Sequence, residues 1–85
     1  MIKPNHPEIG RELLAGELRR GMIVWLQKEG AAALATMWVS GVAAETVEFY
    51  AGVTNIHFLA RRLPDGHIYD DTGKPMAIYL YLGKP

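Results

Sequence analysis

The stretch MWVSGVAAETVEFYAG, residues 37 to 52, decides how the chain is expected to fold. MWVSGV is rich in β-favouring side chains, and Ser40 with Gly41 would spoil the end of any helix that contained Trp38. AAE then separates it from TVEFYAG, where Val47, Phe49 and Ala51 fall on one face and Thr46, Glu48 and Tyr50 on the other. Alternation on both sides of a short polar break reads as two antiparallel strands joined by a tight turn at Ala43 to Glu45. The Ala-rich run that leads in, from Ala31, is assigned with them to a strand. An initial helical turn over residues 31 to 37 is the alternative, since alanine favours helix.

Upstream, Met22, Val24 and Leu26 alternate with Ile23, Trp25 and Gln27 and read as a strand that ends in the polar turn Lys28, Glu29, Gly30. Downstream, Gly52 to Asn55 is a turn cluster. It is followed by the strand IHFLARRL, residues 56 to 63, which Pro64, Asp65 and Gly66 break off. IYDDTGKP, residues 68 to 75, reads as an exposed loop with a brief strand at Ile68 and Tyr69. In the closing segment, MAIYLYLG, Met76, Ile78, Leu80 and Leu82 alternate with Ala77, Tyr79 and Tyr81, the clearest strand signal in the chain.

Residues 7 to 15, PEIGRELLA, read as a short helix. Asn5 or His6 precedes Pro7 as an N-cap precedes a first-turn proline, Ile9, Leu13 and Leu14 form an apolar stripe, and Gly16 stops it. The expectation is therefore a single small domain over residues 1 to 85: an N-terminal arm and helix over 1 to 20, then strands over 21 to 85. Five short strands cannot bury one face without curling or gaining a cover. A five-stranded antiparallel SH3-like barrel or strongly bent sheet is the first choice, and a helix-covered antiparallel sheet the second. The phrase LRRGMIVWL, residues 18 to 26, followed by a long hairpin, is similar to the way many small SH3-like barrels begin; the resemblance is one of pattern and includes no diagnostic motif.

Composition limits the function classes. The 85 residues are 49% hydrophobic and 21% charged, the balance of a folded globular protein. Nine Lys and Arg offset nine Asp and Glu, interspersed in sign, so no electrostatic footprint for nucleic acid or anionic lipid is visible. The absence of cysteine excludes disulfides, thiolate metal sites and thiol nucleophiles. Lys3, Pro4, Pro7 and Glu8 interrupt the region where a secretory signal would be apolar, and Gly30 to Ala44 is too short to span a bilayer. No membrane segment and a cytoplasmic location are expected.

Three side-chain groups are candidates for function. His57, His67, Asp70 and Asp71 offer nitrogen and carboxylate ligands for zinc or a similar ion, the basis of a metal-dependent or oligomer-assembled enzyme. Loops collect Asp and His for conformational reasons, so a solvated turn is the first reading, and no metal or cofactor is expected. Ser40 is the only serine and lies in no nucleophile elbow, and the pairs Glu45 with Glu48 and Asp70 with Asp71 read as surface charge.

The second group is aromatic. With the core on Met76, Ile78, Leu80 and Leu82, Tyr79 and Tyr81 stand on the outer face of the last strand, and Trp25 shares that placement if Val24 and Leu26 take the core. With Arg61 and Arg62 they form the candidate binding residues of a self-association or protein-binding surface. The competing reading is that the helix packs over them. The third group, Arg19, Arg20, Arg61 and Arg62 with the tyrosines, would serve a nucleic-acid-binding barrel, against which the zero net charge argues. The function expected is a non-catalytic β module acting through a homo-oligomer or protein partner.

Overall fold

The computed structural model describes residues 6 to 31, 34 to 52 and 55 to 83. Its strands are β1 (Ile9–Glu12), β2 (Ile23–Lys28), β3 (Ala35–Val42), β4 (Thr46–Ala51), β5 (Ile56–Arg62), β6 (Ile68–Tyr69) and β7 (Pro75–Tyr81). All pairings are antiparallel, in the order β1-β7-β2-β3-β4-β5-β6. A further pairing of β6 with β7 closes β2 to β7 into a six-stranded barrel, and β1 is an extra strand paired along the later part of β7. The mostly β reading holds, while seven strands replace the five expected.

The deciding hairpin forms as its alternation dictates. Trp38 faces Tyr50 and Val39 faces Phe49, and the Ala43 N–H donates to the Thr46 carbonyl oxygen at 2.9 Å to close the turn. Register slips by one residue between Val39 and Gly41, a bulge that turns Ser40 toward Glu48. Strand structure begins at Ala35; Ala32 and Ala33, where the choice between strand and helical turn was open, lie outside the described residues, as do Asn5, Val53 and Thr54.

The expected helix over 7 to 15 is not formed. Ile9–Glu12 is a strand beside β7, with Ile9 opposite Tyr81 and Glu12 opposite Tyr79, and only a single 3-10 turn, Ala15–Glu17, follows. Gly10 explains the choice. A Cβ there would lie 2.8 Å from the Leu80 Cβ and 2.9 Å from the Leu80 carbonyl oxygen, so this segment approaches β7 more closely than any other residue permits. The helical stripe splits: Ile9 and Leu13 are buried in different clusters and Leu14 is exposed.

The barrel interior is filled from every strand of the closed wall. Val24, Leu26, Val39, Val47, Phe49, Ala60, Ile68, Met76 and Ile78 are buried there, with Leu13, Ala15 and Leu18 plugging one end. Val47 and Phe49 are core residues, as the alternation required, and Leu80 packs against the core. Leu82 does not continue that series. It follows the end of β7 and is 55% exposed.

Candidate functional site

The surface expected on β7 is largely covered. Tyr79 is only 1% exposed, packed in a second small cluster with Ile9 and Ala77, against which Trp25 and Leu34 lie. Trp25 is half-buried, with its ring 5.4 Å from that of Tyr81 and its Nε1 donating to the Glu8 carbonyl oxygen at 2.9 Å. The helix of the competing reading is absent; the N-terminal segment is a strand beside β7, and its Ile9 packs against Tyr79. Burial and the charge of Glu12 push the Tyr79 phenol above its ordinary pKa.

Arg61 and Arg62 diverge in role. Arg62 Nη1 donates to the Ala43 carbonyl oxygen at 3.0 Å and its N–H to the Glu45 carbonyl oxygen at 2.9 Å, which ties the end of β5 to the β3–β4 turn. Arg61 is exposed and its side chain has no partner among the described residues. Both line a groove of about 700 Å³ with Glu45 and Leu63, where the acid offsets part of the basic charge.

The four candidate ligands are not brought together, and among the described residues no three of His, Asp and Glu form a metal-holding group. His57 lies on β5 opposite Tyr50. His67 sits in the β5–β6 turn, where its N–H donates to Asp65 Oδ1 at 2.8 Å; Gly66, at φ +87°, supplies the left-handed step of that turn. Asp65 Oδ2 also accepts from the Tyr69 hydroxyl at 3.1 Å, which raises the Tyr69 pKa. Asp70 is buried, its Oδ1 accepting from the Thr72 N–H, the Thr72 hydroxyl and the Lys74 N–H at 2.9, 2.7 and 2.9 Å. It is the lock of the β6–β7 turn, and Asp71 is exposed beside it.

The uncovered aromatic surface lies elsewhere, on the outer face of β3, β4 and β5. Trp38, Tyr50 and His57 occupy one cross-strand row. Trp38 is 52% exposed, and the Tyr50 and His57 rings stack with centroids 4.4 Å apart. In the adjoining row Leu59, 58% exposed, faces Glu48. Glu48 Oε1 accepts from the Ser40 hydroxyl at 2.9 Å and lies 3.8 Å from His57 Nδ1, an ion pair whenever the imidazole is protonated. Arg61 continues the same face of β5, two residues beyond Leu59. The serine, glutamate and histidine are not in the order of a Ser-His-acid relay, because Glu48 stands between Ser40 and His57 and the hydroxyl contacts the carboxylate, not the imidazole.

Trp38 was legible as a member of this face. It is in phase with Thr36 and Ser40, while Met37 and Val39 alternate with them toward the core. The longer apolar alternation of β7 is the stronger signal in the sequence. The chain matches no family model, no curated protein and no solved structure.

Proposed function

We propose that this chain is a non-catalytic β-barrel module that works by self-association, with the outer face of β3–β5 as its docking surface and a second copy of the chain as the occupant. The observation that carries this reading is the half-exposed Trp38 in line with Tyr50 and His57 and bordered by an equally exposed Leu59. Large aromatic side chains left in water on a flat strand face are what interfaces concentrate, and tryptophan and tyrosine head the residues that carry binding energy. A chain of this length buries only roughly 60 to 65% of its unfolded surface, so a second copy adds burial that the monomer lacks.

Charge supports the second copy over another partner. Among the described residues the face holds one acid, Glu48, and one unpaired base, Arg61, which balance in charge and are complementary between two copies. A two-fold axis that bisects the line between them sets Glu48 of each copy against Arg61 of the other. A nucleic-acid strand would instead require a positive groove beside the rings.

Sedimentation velocity from micromolar to near-millimolar concentration tests this. The expected result is a monomer–dimer equilibrium, weakened at least about tenfold by Trp38→Ser with little change in melting temperature, since the side chain is half in water. Emission from Trp38 should shift to the blue as the dimer forms. A monomer across the whole range, or retention on single-stranded DNA that Trp38→Ser abolishes, would remove self-association as the function of this face.

A further inference from the structure

The barrel is not closed along its whole length. β6 pairs only with Arg61 and Arg62 of β5, so Ile56–Ala60 has no strand on the side away from β4 among the described residues. The gap exposes the interior at that end. There Leu26, Lys28, Leu34, Met37 and Phe58 line an opening of about 340 Å³. Its floor is the core itself, because Leu26 is buried and the Phe58 ring stacks 5.4 Å from that of the fully buried Phe49. Barrel mouths of this size, apolar with a few polar groups, are where small ligands are commonly held.

Register identifies Lys28 as the charge that lines the mouth among the described residues. Val24, Leu26 and Lys28 form the inward series of β2, so Lys28 stands where a further apolar core residue would be expected, opposite Met76. A lysine can lay its methylenes along an apolar wall and hold its ammonium at the rim. Among the described residues Lys28 has no ion-pair partner. Asp70 is near enough for the lysine to help lower its pKa, yet its Oδ1 is engaged by the three donors of its own turn.

We propose that this mouth is a binding site for an amphipathic anion, an apolar chain that enters between Phe58, Met37 and Leu26 and ends in a carboxylate at Lys28. Met37, unbranched and polarisable, is suited to repack around such a chain. The site is independent of the Trp38 face and stands or falls separately from self-association.

Three eight-carbon probes that differ only in the head group test it: octanoate, octanol and octylammonium, each below its micelle concentration. Binding is read from methyl-labelled methionine resonances, with Met37 as reporter. Octanoate should shift Met37 saturably and bind at least about fivefold more tightly than octylammonium, a modest ratio because the ammonium is at a wet rim. Lys28→Glu should reverse that order, and Lys28→Met should leave octanoate no better than octanol, both variants melting as the parent does. Equal response to all three probes, no saturable shift at Met37, or an order that Lys28→Glu leaves unchanged would overturn the proposal.

Discussion

The indole Nε1 of Trp25 and the carbonyl oxygen of Glu8 are joined by a 2.9 Å hydrogen bond that reaches across β7 from β2 to the start of β1. The same carbonyl accepts the Leu82 N–H at 2.8 Å, so one main-chain oxygen ties β2 and the residue after β7 to the start of β1. Trp25→Phe keeps an aromatic ring against Tyr81 and removes the donor. It is expected to destabilise the fold by about 2 kcal/mol, part lost hydrogen bond and part lost volume, and to speed amide exchange at Leu82. Unchanged exchange there would show that the bond does not hold β1 in place.

Tyr79 offers the opposite case. Its hydroxyl is buried and has no hydrogen-bond partner among the described residues, and the Oε1 of Gln27, also buried on the outer side of the barrel wall, has none among them either. A desolvated group without a partner opposes folding, so Tyr79→Phe should leave stability unchanged or raise it by about 1 kcal/mol. A marked loss of melting temperature would reveal that the phenol has a bound water or an alternative partner in solution.

What was legible in the sequence follows from which forces act locally. The β3–β4 hairpin and β7 were readable because each has one face in the core, and a strand so placed must alternate. The first strand was not. Ile9, Leu13 and Leu14 fit a helical stripe, and only the position of Gly10 under Leu80, a tertiary fact, selects the extended form. An uncovered aromatic face was legible in kind but expected on β7. Tyr79 is covered by an element whose strand character the sequence concealed, and the exposed tryptophan is instead Trp38.

Phe49 tests the face assignment of the deciding hairpin. It is fully buried, between Val39 across one strand pair and Phe58 across the other. Phe49→Ala should cost about 3 to 5 kcal/mol. A domain of this length has roughly 4 to 13 kcal/mol in all, so the variant should melt far below the parent or lose its cooperative transition. A near-parental melt would mean that the cavity collapses without loss.

Asp70 makes stability depend on acidity. Its carboxyl is held below the ordinary value first by the Thr72 hydroxyl, then by the Lys74 N–H, with the Thr72 N–H and the charge of Lys28 adding to them and burial opposing. A group whose folded pKa lies below its unfolded value of about 3.9 contributes fully above that value and loses its contribution as the pH falls through the folded pKa. Asp70→Asn keeps an oxygen able to accept from Thr72 and Lys74 but cannot ionise. The variant should therefore be less stable than the parent at neutral pH, and the two melting curves should converge as acid protonates the parent's carboxylate. Thermal melts at a series of acidic pH values, one set for each protein, measure this directly. Parallel profiles would mean that the carboxylate charge, as distinct from its oxygen, contributes nothing to the β6–β7 turn.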